Sequence, residues 1–142
     1  MRELIRLSVA GTPMAVQSVR ACRIGKSIRT YQPKKVEDWK GYVRLAIHEQ
    51  LPEGWCLLDE QLAVKYTLKF PILKSMKKAE VARIANGDII YKASKPDVDN
   101  CLKGLNDCIS GIVWRDDSLV VKASVSKIYS VTPSIEVIIY GF

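Results

Sequence analysis

Two aspartates separated by a single residue, Asp97 and Asp99, precede Lys103 by one helical turn, and the adjacent pair Asp116 and Asp117 follows after an apolar stretch. Hard divalent cations such as Mg2+ take one or two carboxylates and complete their shell with water and substrate phosphate oxygens. Asp97 and Asp99 from one element and Asp117 from another could supply such a shell. A lysine one turn beyond Asp99 could neutralise charge developing on a scissile phosphate, or orient the attacking water. These residue types therefore suggest metal-assisted phosphodiester hydrolysis. The same residues also have an ordinary reading. Asp97 and Asp99 would cap a helix and favour its dipole, Asp99 and Lys103 would form a surface ion pair, and Asp116 and Asp117 would make a turn. Spacing alone leaves both readings open.

The elements that must position these groups lie on either side. Pro96 fixes its own φ and biases Lys95 away from the α region, so the chain arrives extended and turns into a helix with Asp97 or Asp99 as N-cap. Val98, Leu102, Leu105 and Ile109 recur at helical period and predict a single apolar stripe facing the core, with Cys101 and Cys108 near its edge. Asp99, Lys103 and Asn106 run along a neighbouring polar row. Gly111 suits the left-handed position that ends a helix. After Ile112, Val113 and Trp114 comes an acidic, turn-like Arg115-Asp116-Asp117-Ser118. Alternation from Leu119 to Ser126 then predicts a strand with one buried face. The N-terminal end of the helix, its positive pole, would face the Asp116-Asp117 turn and favour a phosphate there.

This segment resembles the signature of the RusA family of Holliday junction resolvases, small homodimeric Mg2+-dependent endonucleases often carried by phages and prophages. Lys95, Pro96, Asp97, Asp99, Asn100 and Lys103 match a KPDxDNxxK half. Asp107, Gly111, Val113, Trp114, Asp116 and Asp117 match a D…GxVWxDD half. The joint occurrence of the two halves is specific. The resemblance implies an acidic metal-binding and catalytic triad at Asp97, Asp99 and Asp117, with the essential lysine at Lys103 and Asp116 the lesser candidate of the adjacent pair. It further implies Mg2+ as cofactor with Mn2+ substituting, a homodimer, and branched DNA, four-way junctions above all, as substrate. Cys101 and Gly104 depart from the residues expected at those positions without touching the chemistry.

Charge points the same way. The chain of 142 residues carries a net charge of +7 and has a pI near 9.3, which favours an anionic partner. No acidic residue falls between Glu3 and Glu37, whereas Arg6, Arg20, Arg23, Lys26, Arg29, Lys34 and Lys35 do. Arg20, Arg23, Lys26 and Arg29 lie on two short extended pieces, about 19–24 and 27–31, joined at Gly25-Lys26 as a hairpin that could lie along phosphates or enter an open junction. Lys74, Lys77 and Lys78 belong to a polar segment with a short helix over 75–85 and add candidate phosphate contacts. A solubilising surface is the plain alternative for both groups.

The composition, 48% hydrophobic and 26% charged, fits one globular domain over residues 1–142, and no stretch reaches the roughly 20 apolar residues of a membrane span. Acid and arginine interrupt MRELIRLSVAG where a signal peptide would be apolar, so the protein is expected in the cytoplasm of a bacterial or phage-infected cell. Cys22, Cys56, Cys101 and Cys108 contain no CxxC pair and the chain has one histidine, which argues against structural zinc. Disulfides are not expected in a reducing compartment. His48 falls off the inner face of its helix and is expected in solvent.

In order, the sequence predicts a strand over 4–9, the basic hairpin, a helix over 34–51 with Val36, Trp39, Val43, Ala46 or Ile47, and Gln50 on its inner face, and a strand over 61–70. The polar helix, the signature helix and two strands over 118–129 and 134–140 follow, the last two paired as an antiparallel hairpin around Thr132-Pro133. The fold class is α+β: a mixed sheet of about five or six strands with two main helices. The expected function is structure-selective, Mg2+-dependent cleavage of branched DNA in recombination and repair. A non-catalytic basic DNA-binding module, or a nuclease for flaps, forks or RNA, is the alternative.

Overall fold

The computed structural model describes residues 1–16, 20–25, 27–31 and 33–142. In chain order the elements are β1 (Arg2–Ala10), β2 (Arg20–Ile24), β3 (Ser27–Tyr31), α1 (Lys34–Gln50), β4 (Leu62–Pro71), α2 (Lys78–Ala85), α3 (Val98–Ile109), a 3-10 turn (Asp117–Leu119), β5 (Val120–Ser130) and β6 (Ser134–Gly141). The class is α+β as expected. The main sheet has four strands in the order β1-β6-β4-β5, not the expected five or six, because β2 and β3 pair only with each other as a separate two-stranded ribbon, and there are three helices rather than two main ones.

β4 is an inner strand of that sheet. Leu62, Ala63 and Val64 are buried in succession, followed by Tyr66, Leu68 and Phe70. From Val64 on the burial alternates, with Lys65 exposed and Thr67 and Lys69 half-buried, so one face meets the core. The strand pairs antiparallel with β6 and parallel with β5. The expected hairpin of the last two strands is therefore wrong: β4 lies between them. The connection of residues 131–133 satisfies either neighbour relation, and the pairing of both edges of β4 realises the split one. Parallel pairing of β4 with β5 demands a long crossover, and residues 72–119 provide it, carrying α2 and α3.

One sheet face is apolar throughout. Leu7 and Val9 of β1 stand opposite Val137 and Ile135 of β6, which in turn stand opposite Tyr66 and Leu68 of β4. Val43 and Ile47 of α1 and Leu105 and Ile109 of α3 complete the same core. On α1, Gln50 does not pack inward as expected. Its amide reaches β1, with Nε2 donating to the Ser8 carbonyl at 2.7 Å and Oε1 accepting from the Ser8 N–H at 2.9 Å. His48 is exposed, as expected.

The buried face of α3 is turned from the predicted stripe. Cys101, Gly104, Leu105, Cys108 and Ile109 are buried, whereas Val98 and Leu102 are only half so. Free cysteine is a small hydrophobe, and here two of them centre the face. Burial pushes both thiols up, that of Cys108 to about 11, so neither is a metal-ready thiolate. Gly104 is where the segment before the basic ribbon crosses the helix. A Cβ there would collide with the Val16 side chain and press the Trp39 ring at 3.3 Å, and the Val16 N–H donates to the Asn100 carbonyl at 3.0 Å. Gly104→Ala should gain up to about 1 kcal/mol of helix propensity and lose about 1–3 kcal/mol to overpacking. A net destabilisation in urea unfolding is the expected result; a stabilised variant would show that the 15–16 segment yields freely.

Candidate active site

Asp97 occupies the N-cap position of α3 with extended backbone, φ −71° and ψ 147°, yet its side chain makes no capping bond. Asp99, in the first turn, and Lys103, one turn on, are exposed like Asp97. Among the described residues none of the three enters an ion pair. The plain reading of this group, a capping carboxylate and an Asp99–Lys103 pair, is thus not what the fold uses them for. Among the described residues the two carboxylates at the positive end of the helix have no ion-pair partner, and neither has the ammonium one turn on.

The second acidic group is built differently. Asp116 does what turn chemistry predicts: its Oδ2 accepts from the Ser118 N–H at 3.0 Å at the start of the 3-10 turn. Hydrogen bonds from Ser118 hold its carboxyl below the usual carboxylate range. Asp117 instead turns toward the protein. Its Oδ1 accepts from Nε1 of Trp114 at 2.8 Å, and Trp114 is fully buried. Burial raises the Asp117 carboxyl above its ordinary value against the opposing Trp114 bond, with Asp107 and Asp116 adding repulsion.

Trp114 is itself held from a segment that the sequence reading left out. The Leu58 N–H donates to the Val113 carbonyl and the Arg115 N–H to the Leu58 carbonyl, both at 3.0 Å. The Trp55 Nε1 reaches the Val113 carbonyl at 3.2 Å, and Arg115 pairs with Asp59 at 3.2 Å. Residues 55–59 therefore clamp the apolar half of the second motif. Beside Asp117, the Tyr66 hydroxyl donates to Asn106 Oδ1 at 2.7 Å, and burial foremost, with the Asp117 charge adding to it, pushes that hydroxyl up. Lys40, buried in α1, donates to Asp107 Oδ2 at 3.2 Å.

Asp117 thus sits in the field of Asp107, and Asp107 lies eight residues beyond Asp99 on α3, about 12 Å along the axis. Among the described residues no three His, Cys, Asp or Glu side chains are gathered closely enough to hold a metal ion. Among the described residues, Asp97, Asp99 and Asp117 are therefore not gathered as closely as the sequence led us to expect. The donor chemistry still suits a hard cation: exposed, unengaged carboxylate oxygens at Asp97 and Asp99, and no accessible thiolate beside them.

Of the basic residues, Arg23, Lys74, Lys77 and Lys78 are exposed. Lys77 precedes α2 rather than lying within it. Lys26 lies outside the described residues, as do the side chains of Arg20 and Arg29. No helix among the described residues is long and apolar enough to cross a membrane.

Comparison with known proteins bears on the whole chain. A family model described as endodeoxyribonuclease RusA matches residues 10–140. A protein of Bacillus subtilis (strain 168), known as the uncharacterized protein YqaN, is 31% identical over 137 residues, which cover 96% of each chain.

Proposed function

Because the chain belongs to the RusA endodeoxyribonuclease family and is therefore a nuclease that hydrolyses DNA, we propose that it resolves four-way junctions in recombination and repair, with Mg2+ as its cofactor. The family acts on branched DNA and depends on a divalent metal. The observation that carries the site assignment is the unengaged pair Asp97 and Asp99 at the start of α3, with Lys103 one turn away.

In this reading Asp97 and Asp99 hold the cation, and Asp117 joins them when cation and DNA phosphate offset the repulsion among the carboxylates. The bound ion would neutralise charge on the scissile phosphate and make a water molecule a better nucleophile. Lys103 supplies a fixed positive charge for the phosphate oxygens. Trp114 holds one oxygen of Asp117, leaving the other for the site. Arg20, Arg23, Lys26 and Arg29 of the basic ribbon would meet DNA phosphates, with Lys74, Lys77 and Lys78 as further phosphate contacts. Paired symmetric cuts require two such sites, hence a homodimer. The setting would be the cytoplasm, with one domain spanning residues 1–142.

The test is a substrate panel: synthetic four-way junction, fork, flap, duplex and single strands, with and without Mg2+ or Mn2+. Metal-dependent paired nicks in the junction at rates above those of every other substrate are expected. Salt-sensitive junction binding without cleavage in either metal would leave only a DNA-binding module, and faster cleavage of flaps, forks or RNA would reassign the substrate.

A further inference from the structure

The backbone that delivers Asp97 is held by a side chain from the sheet. Lys127, half-buried on β5, donates from Nζ to the carbonyl of Ser94 at 2.7 Å and to that of Pro96 at 2.8 Å. The same strand fixes the approach to this point. The Lys92 N–H donates to the Lys127 carbonyl at 2.9 Å, and the Tyr129 N–H to the Ile90 carbonyl at 3.0 Å. Lys92 Nζ lies 5.4 and 5.3 Å from the ring centres of Phe70 and Tyr129 and donates to Ser94 Oγ at 2.9 Å. Residues 90–96 are therefore clipped to β5 by backbone and side chains together.

Lys127 is not used as an ion-pair partner. Among the described residues no carboxylate pairs with it, and its two bonds go to main-chain oxygens on the residue before Asp97 and two residues further back. An ammonium has three donors, so one remains after the two carbonyls are served. Carbonyl bonds of this kind fix the direction in which the following residue leaves the loop. A fixed positive charge here would also offset repulsion between the Asp97 and Asp99 carboxylates if one cation gathers both.

We propose that Lys127 is a positioning residue for Asp97 and Asp99: it locks the 94–96 backbone so that both carboxylates face one cation, and it lowers the cost of holding them together before that cation arrives. The inference rests on the reading of Asp97 and Asp99 as the metal-holding pair. Groups that orient metal ligands from behind are typically worth about 10–100-fold in metal affinity or activity.

The experiment compares Lys127→Met, Lys127→Arg and Asp97→Asn in the full chain. It reads the Mg2+ concentration for half-maximal junction cleavage, kcat and KM separately, and junction Kd with no metal added. Lys127→Met should raise the Mg2+ half-saturation by about 10–100-fold and lower kcat at fixed Mg2+ while junction Kd stays unchanged. Excess Mg2+ should restore part of the rate, and Lys127→Arg, which keeps charge and donors, should recover most of the metal response. A folded Lys127→Met protein with wild-type Mg2+ half-saturation overturns the proposal. So does a loss of junction binding as large as the loss of rate, which would make Lys127 a phosphate contact. If Lys127→Met lacks a cooperative thermal transition, Lys127→Gln, which keeps a donor without the charge, is read by the same criteria. An active Asp97→Asn protein would remove the metal-site reading and this inference with it. An inactive Asp97→Asn beside a wild-type Mg2+ response in Lys127→Met would remove this inference alone.

Discussion

Asp97→Asn is expected to lower junction cleavage by on the order of a thousandfold, and Asp117→Asn by a comparable factor, while both bind the junction as tightly as the wild type or more tightly. The asymmetry follows from charge. An amide is nearly the size of a carboxylate but offers one neutral acceptor oxygen, so cation binding suffers while packing does not. Neither residue supports the fold through its carboxylate in a way the amide would destroy. Asp97 makes no capping bond, and the Asp117 bond from Trp114 can pass to an amide oxygen. Removing a negative charge beside DNA weakens no phosphate contact. Single-turnover cleavage with excess enzyme, together with gel-shift titration, separates the two effects. Wild-type rates from both variants in Mg2+ would show that the carboxylates do not carry the chemistry.

The second large effect concerns stability. Lys40 is only 6% exposed, and its ammonium meets Asp107, whose side chain is half exposed, at 3.2 Å. Removing one partner of a fully buried pair costs about 3–5 kcal/mol, because the remaining charge is left dry. Asp107 opens to water on one side, so about 2–3 kcal/mol is the expected cost of Asp107→Ala, a fall in Tm of roughly 4–10 °C for a chain of this size. Lys40→Met should behave differently. It keeps an apolar stem of similar volume in the same place and leaves a carboxylate that water can reach, so a change within about 1 kcal/mol is expected. Urea unfolding of the two variants measures the contrast. An Asp107→Ala protein no less stable than Lys40→Met would mean that the ammonium finds solvent unaided.

That pair also marks how far the sequence alone could lead. Local signals served well where periodicity and turn chemistry act. The span of α3, the left-handed Gly111 with φ +83°, the Asp116 turn and the ribbon joined at Gly25 all follow from residue types a few positions apart. The buried face of α3 was misplaced because cysteine and glycine register weakly as apolar, although Cys101, Gly104 and Cys108 lie at its centre. Strand order is not legible at the end of the chain because a three-residue connection suits adjacent and split strands equally; the pairing of both edges of β4 decides it, and only the fold reveals that pairing. Lys40 and Asp107, Tyr66 and Asn106, and Lys127 and Pro96 are partners across long stretches of chain, and no spacing rule connects them.

The acidic residues show the same division. The carboxylates at 97, 99 and 117 were recognisable as a set by type and by family resemblance, yet their separation is a matter of tertiary geometry. The parallel crossover from β4 to β5 runs α3 back along the sheet, so its start lies by Lys127 and its end by Trp114, near the start of β5. Asp97 and Asp99 are delivered at the first of these places. Asp117 is delivered toward Asn106 and Asp107 further along the helix.

A Mn2+ titration followed by electron paramagnetic resonance, run on the wild type and on the Asp97→Asn, Asp99→Asn double variant, tests most directly whether these two aspartates hold the metal. A saturable site in the wild type that is weakened by about tenfold or more in the double variant is the predicted result. Equal Mn2+ binding by both proteins would place the ion elsewhere and contradict the account.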